Sequence, residues 1–449
     1  MSPLLVYGLG VTGRAVARAL VGRGEAVVLG DDRPGDVAEA LAGELGAAVH
    51  RAGDPVSAAE LVASVAAVVP APGVPEHHPV IAAALAAGVP VRSELDLAQA
   101  WEGSRPQPRP FLAITGTDGK TTVTTMVTEI LRRAGRRAEA VGNTEVPLVA
   151  ALDGDAEVFV VEASSFRLRF CERFHPVVGA WLNLAPDHLD WHPSVEAYAD
   201  AKARLWQAQR DGDVAIGALD DPIVAAHLRQ APARRVGFSV RDAGAAYRVE
   251  GEVLTGPRGP ILPVARLPRA LPHDVANALA AAATALEAGV ALEAVQEGLV
   301  AFRHPPHRVA FVAEHAGIRW YDDAKATAPH ATVAALRSFD RVVLIAGGRN
   351  KGLDLGELAV EAARLRGVVA IGEAAPAVVA ALREVAPVTT ASSMDAAVAE
   401  AARLAGPGDV VLLSPGCASY DWYPNYGARG DDFVRAVRAH LAREEGGTA

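Results

Sequence analysis

Phe111-Leu112-Ala113-Ile114-Thr115-Gly116-Thr117-Asp118-Gly119-Lys120-Thr121-Thr122 sets an apolar run against a polar loop bracketed by glycines. The run reads as a buried strand, and the residues beyond the loop, to about Leu131, as a helix. Backbone N–H groups over 116–122 can cradle phosphates at the helix start. Lys120 can reach β- and γ-phosphate oxygens, and the Thr121 hydroxyl can ligate Mg²⁺. A full-length phosphate loop would carry Gly at position 114, where this chain has Ile, so this is a shortened form. Strand, turn and helix in this order predict a nucleotide site at the edge of a parallel sheet, in an α/β domain.

Working outward, short Val/Leu/Ile runs alternate with Ala-rich amphipathic segments three times along the 449 residues, a length that suits about three domains. The first block, 1–97, carries strands at 4–7 and 26–29. Pro and Gly cluster over 103–110 and read as a linker. The second block, 98–301, is built around the loop above, and its Ala-rich 278–295 reads as closely packed helix. The third, 302–449, has strands at 318–321, 342–346, 368–371 and 410–413. The expected class is α/β in three domains: Rossmann-like, central P-loop ATPase-type and Rossmann-like.

Composition narrows the function classes. Apolar residues at 51% and charged residues at 21% exclude extended disorder. A net charge of -10 leaves no basic stripe for nucleic acid. No apolar run is long enough to span a bilayer, and no targeting segment precedes the first strand, so a cytoplasmic chain is expected. Two cysteines, Cys171 and Cys417, form no disulfide framework. Of 43 cationic residues only Lys120, Lys202, Lys325 and Lys351 are lysines. Arg can carry surface charge; Lys supplies a slim ammonium, or an amine that can lose its proton and react. Three of the four fall in segments that read as nucleotide or phosphate sites.

Gly8-Leu9-Gly10-Val11-Thr12-Gly13 follows the first strand, with a helix expected from near Arg14. This G-x-G-x-x-G lets a diphosphate approach a helix N-terminus, and Asp31 or Asp32 follows where a ribose hydroxyl would be held. Alone it suggests a nicotinamide dehydrogenase, which would leave the loop at Lys120 idle. Glu162 ends the apolar run 158–161, where a nucleotide-bound metal would sit. Asn183-Leu184-Ala185-Pro186-Asp187-His188-Leu189-Asp190 puts an imidazole and carboxylates in one loop, with Lys202 following on a helix that Ser194 could cap.

The loop 116–122, Val161-Glu162-Ala163-Ser164-Ser165-Phe166, Asp187-His188-Leu189-Asp190, His273-Asp274-Val275-Ala276-Asn277, His307-Arg308 and Asp322-Asp323-Ala324-Lys325-Ala326-Thr327 appear in that order. Together they resemble the Mur ligase family, ATP-dependent amino-acid ligases of peptidoglycan precursor synthesis, over essentially the whole chain. The opening glycine loop, Ser164-Ser165-Phe166 and Ser414-Pro415-Gly416-Cys417-Ala418-Ser419-Tyr420-Asp421 resemble the members that add D-glutamate.

The resemblance implies UDP-N-acetylmuramoyl-L-alanine, D-glutamate and ATP as substrates, an acyl-phosphate intermediate, two Mg²⁺ ions and a monomer without nucleic-acid or membrane partners. It implies that Gly10, Val11, Thr12, Asp31, Arg33, Pro72, Gly73 and Asn143 bind the UDP substrate. Gly116, Thr117, Asp118, Gly119, Lys120, Thr121, Thr122, Asn277, Arg308 and Asp323 would bind ATP. Thr121, Glu162, His188 and a carbamylated Lys202 would serve the metals, with Lys120, His188 and Lys202 carrying the catalysis. Lys325, Thr327, Lys351, Ser419 and Tyr426 would take D-glutamate, and the third domain would close over the second. The alternatives are a sister ligase for another amino acid, a folylpolyglutamate synthetase, or a non-catalytic nucleotide-sugar binding protein. Asp118 replaces the usual Asn, Ala185 a Thr or Ser, Arg167 a Gln, Asp274 an Asn, and Ala328 an expected Asn.

Overall fold

The computed structural model describes residues 2–144 and 146–446. Three sheets are present, each built where the sequence supplies short β-branched runs. The first is parallel, in the order Val49–His50, Val27–Gly30, Leu4–Tyr7 and Ala67–Pro70. Chain order runs outward on both sides of Leu4–Tyr7, so a crevice opens at the carboxyl ends of Leu4–Tyr7 and Ala67–Pro70, where doubly wound sheets hold ligands. The helix after the first strand spans Val11–Val21, starting three residues earlier than expected. Gly13 permits this, because a Cβ there would lie 1.9 Å from the Gly8 carbonyl oxygen.

The second sheet has nine strands, with Phe111–Thr115 between Val158–Glu162 and Val178–Trp181, all parallel. All five residues of Phe111–Thr115 are buried, as a central parallel strand requires. Its far edge is an antiparallel tail, Tyr247–Glu250, Val253–Gly256 and Gly259–Pro263. The Ala-rich stretch forms helix Pro272–Glu287, with a second helix at Leu292–Ala301. The third sheet orders Ala310–His315, Ile318–Asp322, Val410–Leu413, Val342–Gly347, Leu365–Ile371 and Val388–Ala391, all parallel except the first.

Two compact units hold these sheets. One comprises residues 1–270 and 274–302 and contains the first two sheets; the other comprises 271–273 and 303–449. The division expected at 97/98 falls inside helix Glu94–Gly103. Its Asp96 carboxylate accepts backbone N–H bonds from Glu172, Arg173 and Phe174 at 2.8, 3.0 and 2.8 Å. Ser93, its cap, donates to the Arg167 carbonyl at 2.6 Å.

The Pro/Gly segment expected as a linker is strapped down. Buried Glu102 accepts from Arg109 Nη2 at 2.7 Å and Nε at 2.9 Å, and the same guanidinium donates to the Leu152 carbonyl at 2.6 Å. Pro and Gly signal an irregular backbone; they carry no information on whether a charge pair fastens it. Arg109→Ala leaves buried Glu102 only the residue 109 backbone N–H and Arg105 Nε, 3.5 Å away, and is expected to cost about 3 kcal/mol, read as a lowered midpoint in urea by tryptophan fluorescence. A midpoint within error of the parent would show that the strap carries no stability. Among the described residues, no helix is long and apolar enough to cross a membrane.

Candidate active site

The phosphate-type loop leaves strand Phe111–Thr115 and enters helix Lys120–Arg133 through Gly119, whose φ of 81° caps the helix in the left-handed region. A Cβ on Gly119 would lie 2.5 Å from Asn277 Oδ1, so the helix residue Asn277 meets the loop where side chains are excluded. Asn183 shapes the loop from the neighbouring strand's end. Its Oδ1 accepts from Thr117 N at 3.0 Å and Asp118 N at 2.8 Å, and its Nδ2 donates to the Asp118 carbonyl at 3.2 Å. Lys120 Nζ folds back on the carbonyls of Gly116 and Thr117 at 2.9 and 2.8 Å. Thr121 and Thr122 lie in the first helical turn.

Beneath the loop lies helix Val195–Gln207, capped as expected by Ser194, whose Oγ accepts from Ala197 N at 3.2 Å. The helix buries Lys202, 1% exposed, and aims Nζ at the Gly116 carbonyl, 2.6 Å away. Burial, then the nearby Lys120 cation, hold the Lys202 amine well below the usual lysine range, against the pull of Asp187, Asp118 and Glu162. Lys202 Nζ lies 4.5 Å from the Tyr198 ring centroid, and the Tyr198 hydroxyl meets Thr117 Oγ1 at 3.2 Å. His188, with a φ of 55°, sets its ring 4.6 Å from that of Phe166 and its Nε2 3.4 Å from Asp187 Oδ2. Phe166 stacks on His192, whose imidazole burial pulls down to about 4, so it is neutral at pH 7.

Glu162 closes its strand fully buried. Its Oε1 accepts from Asn143 Nδ2 at 2.9 Å, and its Oε2 has no hydrogen-bond partner. A buried carboxylate oxygen left open in this way suits a cation. No group of three or more His, Cys, Asp or Glu able to hold a metal occurs among the described residues. Mg²⁺ takes one or two protein carboxylates together with waters and substrate phosphates, and Glu162 offers one such carboxylate.

At the first sheet's crevice, a cavity of about 400 Å³ is lined by Gly10, Val11, Thr12, Asp31, Pro72, Gly73 and Asn143, and also by Tyr7, Asp32, His78 and Arg167. Arg33 is exposed and is not part of the lining. Asp31 uses both oxygens on the chain itself, accepting from Leu9 N at 2.8 Å and Arg33 N at 2.9 Å. Asp32 accepts from the Tyr7 hydroxyl at 2.7 Å and lies 3.0 Å from His78 Nε2. Burial pushes the Asp32 carboxyl up, but these two bonds outweigh it and hold it below its usual value.

In the other unit, Asp322 ends strand Ile318–Asp322 and Asp323 follows it. Ser414 Oγ donates to Asp323 Oδ2 at 2.7 Å, and burial pushes the Asp323 carboxyl up to about 7. Lys325 Nζ sits 4.0 Å from the Tyr426 ring centroid. Thr327 is half-buried and Lys351 exposed. Ser419 is buried in a segment that pairs with Arg349, Ala418 N donating to the Arg349 carbonyl at 3.0 Å. Buried Arg429 donates to the carbonyls of Ala324, Cys417 and Ala418 at 3.0, 3.0 and 3.2 Å, which ties the Lys325 and Ser419 segments together. Arg308 is half-buried, and its neighbour Val309 donates to Asp323 Oδ1 at 3.2 Å.

Sequence reasoning missed Asn183 as the loop's brace, Tyr198, His192, the Tyr7–Asp32–His78 cluster and Arg429. Asn183 stood in a quoted motif, and its place after a strand was a usable signal. Arg429 stands 104 residues beyond Lys325, and nothing local marks it.

Three family descriptions match the chain: Mur ligase MurD-like, N-terminal domain, over residues 2–93; Mur ligase middle domain over 114–285; and Mur ligase, glutamate ligase domain, over 307–417. Relatives named UDP-N-acetylmuramoylalanine--D-glutamate ligase include one from Frankia casuarinae, 44% identical over 97% of this chain and 94% of its own length. Another, from Thermobifida fusca, is 43% identical over 97% of both. Among solved structures, a pseudomurein peptide ligase type C from Methanothermus fervidus aligns at a TM-score of 0.61 and 17% identity, over 98% of this chain and 100% of that one. MurF from Acinetobacter baumannii aligns at 0.61 and 20%, over 96% and 90%. At these identities the structures speak to the fold alone.

Proposed function

The chain belongs to the Mur ligase family, and from that premise we infer its reaction: it is an ATP-dependent ligase that adds D-glutamate to UDP-N-acetylmuramoyl-L-alanine in peptidoglycan precursor synthesis. The observation that supports the chemistry best is the convergence on one loop. Lys120 and Lys202 share the Gly116 carbonyl, beneath a strand edge that offers Glu162 with an open buried oxygen.

A carboxylate condenses with an amine only when its oxygen is made a leaving group. The L-alanyl carboxylate attacks the γ-phosphorus of ATP, releasing ADP and forming an acyl phosphate. The D-glutamate amine then attacks the acyl carbon, and the tetrahedral adduct loses a proton from nitrogen and expels inorganic phosphate. Loop amides and Lys120 hold the β- and γ-phosphates in line and offset charge on the transferring group. Thr121 and Glu162 would hold one Mg²⁺, and His188 with a carbamylated Lys202 a second. Bound there, Mg²⁺ supplies further neutralisation of phosphate charge. Asn277, Arg308 and Asp323 are assigned to the nucleotide. The cavity beside Val11 takes the uridine diphosphate, with Asn143 turned to the acyl end. Lys325, Thr327, Lys351, Ser419 and Tyr426 are assigned to D-glutamate. The boundaries 1–97, 98–301 and 302–449 then separate uridine-nucleotide, ATP and amino-acid domains, in a monomer working in the cytoplasm.

Release of ADP and phosphate is expected only with UDP-N-acetylmuramoyl-L-alanine, D-glutamate and Mg²⁺ all present. L-glutamate should be at least about a hundredfold poorer. The product mass gains one glutamyl unit. Equal turnover with L-lysine or diaminopimelate would assign the chain to a sister reaction.

A further inference from the structure

His188 occupies backbone that a residue other than glycine seldom adopts. Its φ of 55° lies in the left-handed region, so the surroundings must hold it there. Its N–H donates to Asp187 Oδ1 at 2.8 Å, and its carbonyl accepts from Trp191 N at 3.0 Å and His192 N at 2.9 Å. These bonds wind 188–192 into a tight turn. They fix the backbone, whereas the direction of the imidazole depends on what meets the ring.

Phe166 meets it edge to face, with centroids 4.6 Å apart and planes at 66°. His192 in turn stacks on Phe166, at 5.8 Å and 11°. His192 is 1% exposed, and its Nε2 lies 3.0 Å from Ser165 Oγ. Its Nδ1 is buried without a hydrogen-bond partner. A buried nitrogen left in that state costs stability, so the ring contributes here mainly through its face. Phe166 follows Glu162 by four residues, and the stack therefore ties the end of strand Val158–Glu162 to the turn that carries His188.

We propose that His192 is a positioning residue for metal binding: through its stack on Phe166 it holds the His188 imidazole in the orientation that ligates Mg²⁺. This role rests on the reading of His188 as a metal ligand. Groups one layer out from a metal orient the imidazole that binds it, commonly by a hydrogen bond. Here the same task falls to a pair of stacked rings.

The test is a Mn²⁺ titration of the full chain holding β,γ-methylene-ATP and UDP-N-acetylmuramoyl-L-alanine, with free Mn²⁺ read by electron paramagnetic resonance. Mn²⁺ shares the oxygen-rich ligand preference of Mg²⁺. His192→Gln removes the ring, and His192→Phe keeps a ring but cannot bond to Ser165. Mn²⁺ affinity at the His188 site is expected to fall by about tenfold or more in His192→Gln and to stay within about twofold of the parent in His192→Phe. His188→Ala should lose that site. Phe166→Leu breaks the stack with His192 in place, should show the same loss as His192→Gln, and decides the matter if thermal melts show His192→Gln unfolded. Unchanged affinity in both His192→Gln and Phe166→Leu, with the site lost in His188→Ala, would overturn the positioning role and leave His188 as a ligand. Equal losses in His192→Phe and His192→Gln would assign the effect to the Ser165 bond and overturn the stack. If His188→Ala binds Mn²⁺ as the parent does, the reading of His188 fails, and the proposal with it.

Discussion

Lys202→Ala is expected to lower turnover by at least about a hundredfold without unfolding the chain, and a small carboxylate such as acetate is expected to restore part of it. The side chain is buried beneath the phosphate-type loop, within electrostatic reach of Lys120. As an ammonium it would face the cations the reaction needs: two unit charges about 4 Å apart repel by about 4 kcal/mol at an effective dielectric of about 20, and Mg²⁺ is divalent. Burial instead favours the neutral amine, the form that adds CO₂, with nitrogen forming the new bond to carbon and one proton leaving. The resulting carbamate is an anion, and repulsion becomes attraction.

The contact with the Gly116 carbonyl offers a rival account, in which Lys202 merely braces the loop. Acetate separates the two. It can replace a carbamate's oxygens and cannot replace a brace. Loss of activity with an unchanged circular dichroism spectrum and no response to acetate would establish the brace and exclude the carbamate.

Lys120→Arg is expected to cost a similar factor, about a hundredfold, in kcat/KM for ATP, although the charge is kept. Lys120 Nζ fits between two loop carbonyls, 2.9 and 2.8 Å away, at the first residue of its helix. The broader, planar guanidinium cannot reach from so short a loop to a point between the β- and γ-phosphates. Lys325→Arg and Lys351→Arg make the contrast. One lies half-buried over an aromatic ring, the other is exposed, and each should lose only D-glutamate affinity, because Arg still pairs with a carboxylate. Steady-state kinetics on the three variants, with circular dichroism as the folding control, decides. Near-normal turnover by Lys120→Arg would show that the loop does not need a slim ammonium.

Much of the fold was legible because its signals are local. Phe111–Thr115 and Val410–Leu413 are apolar runs of strand length with glycine or polar residues beyond them, and both are strands over the residues expected. The helix after Gly10 was placed late, because Val11 and Thr12 carry little helix propensity and the close approach of Gly13 to Gly8 cannot be seen in one dimension. The segment 103–110 read as a linker because a sequence shows Pro and Gly but not the buried Glu102 that grips Arg109.

Of the site, the sequence by itself determined the chemical inventory: a glycine-flanked Lys-Thr-Thr, a carboxylate at a strand's end, an imidazole beside Asp187, and four lysines among 43 cations. These follow from residue type and spacing within one strand–turn–helix unit. The tertiary structure alone decided which of two adjacent carboxylates is spent on the backbone, Asp31 binding Leu9 and Arg33 while Asp32 turns to Tyr7 and His78. It alone buried Lys202 under a loop 86 residues away, and left one oxygen of Glu162 open. The physical reason is range: backbone geometry is set by neighbours in the chain, whereas desolvation and hydrogen-bond partnership depend on atoms brought close only when the sheets and helices pack.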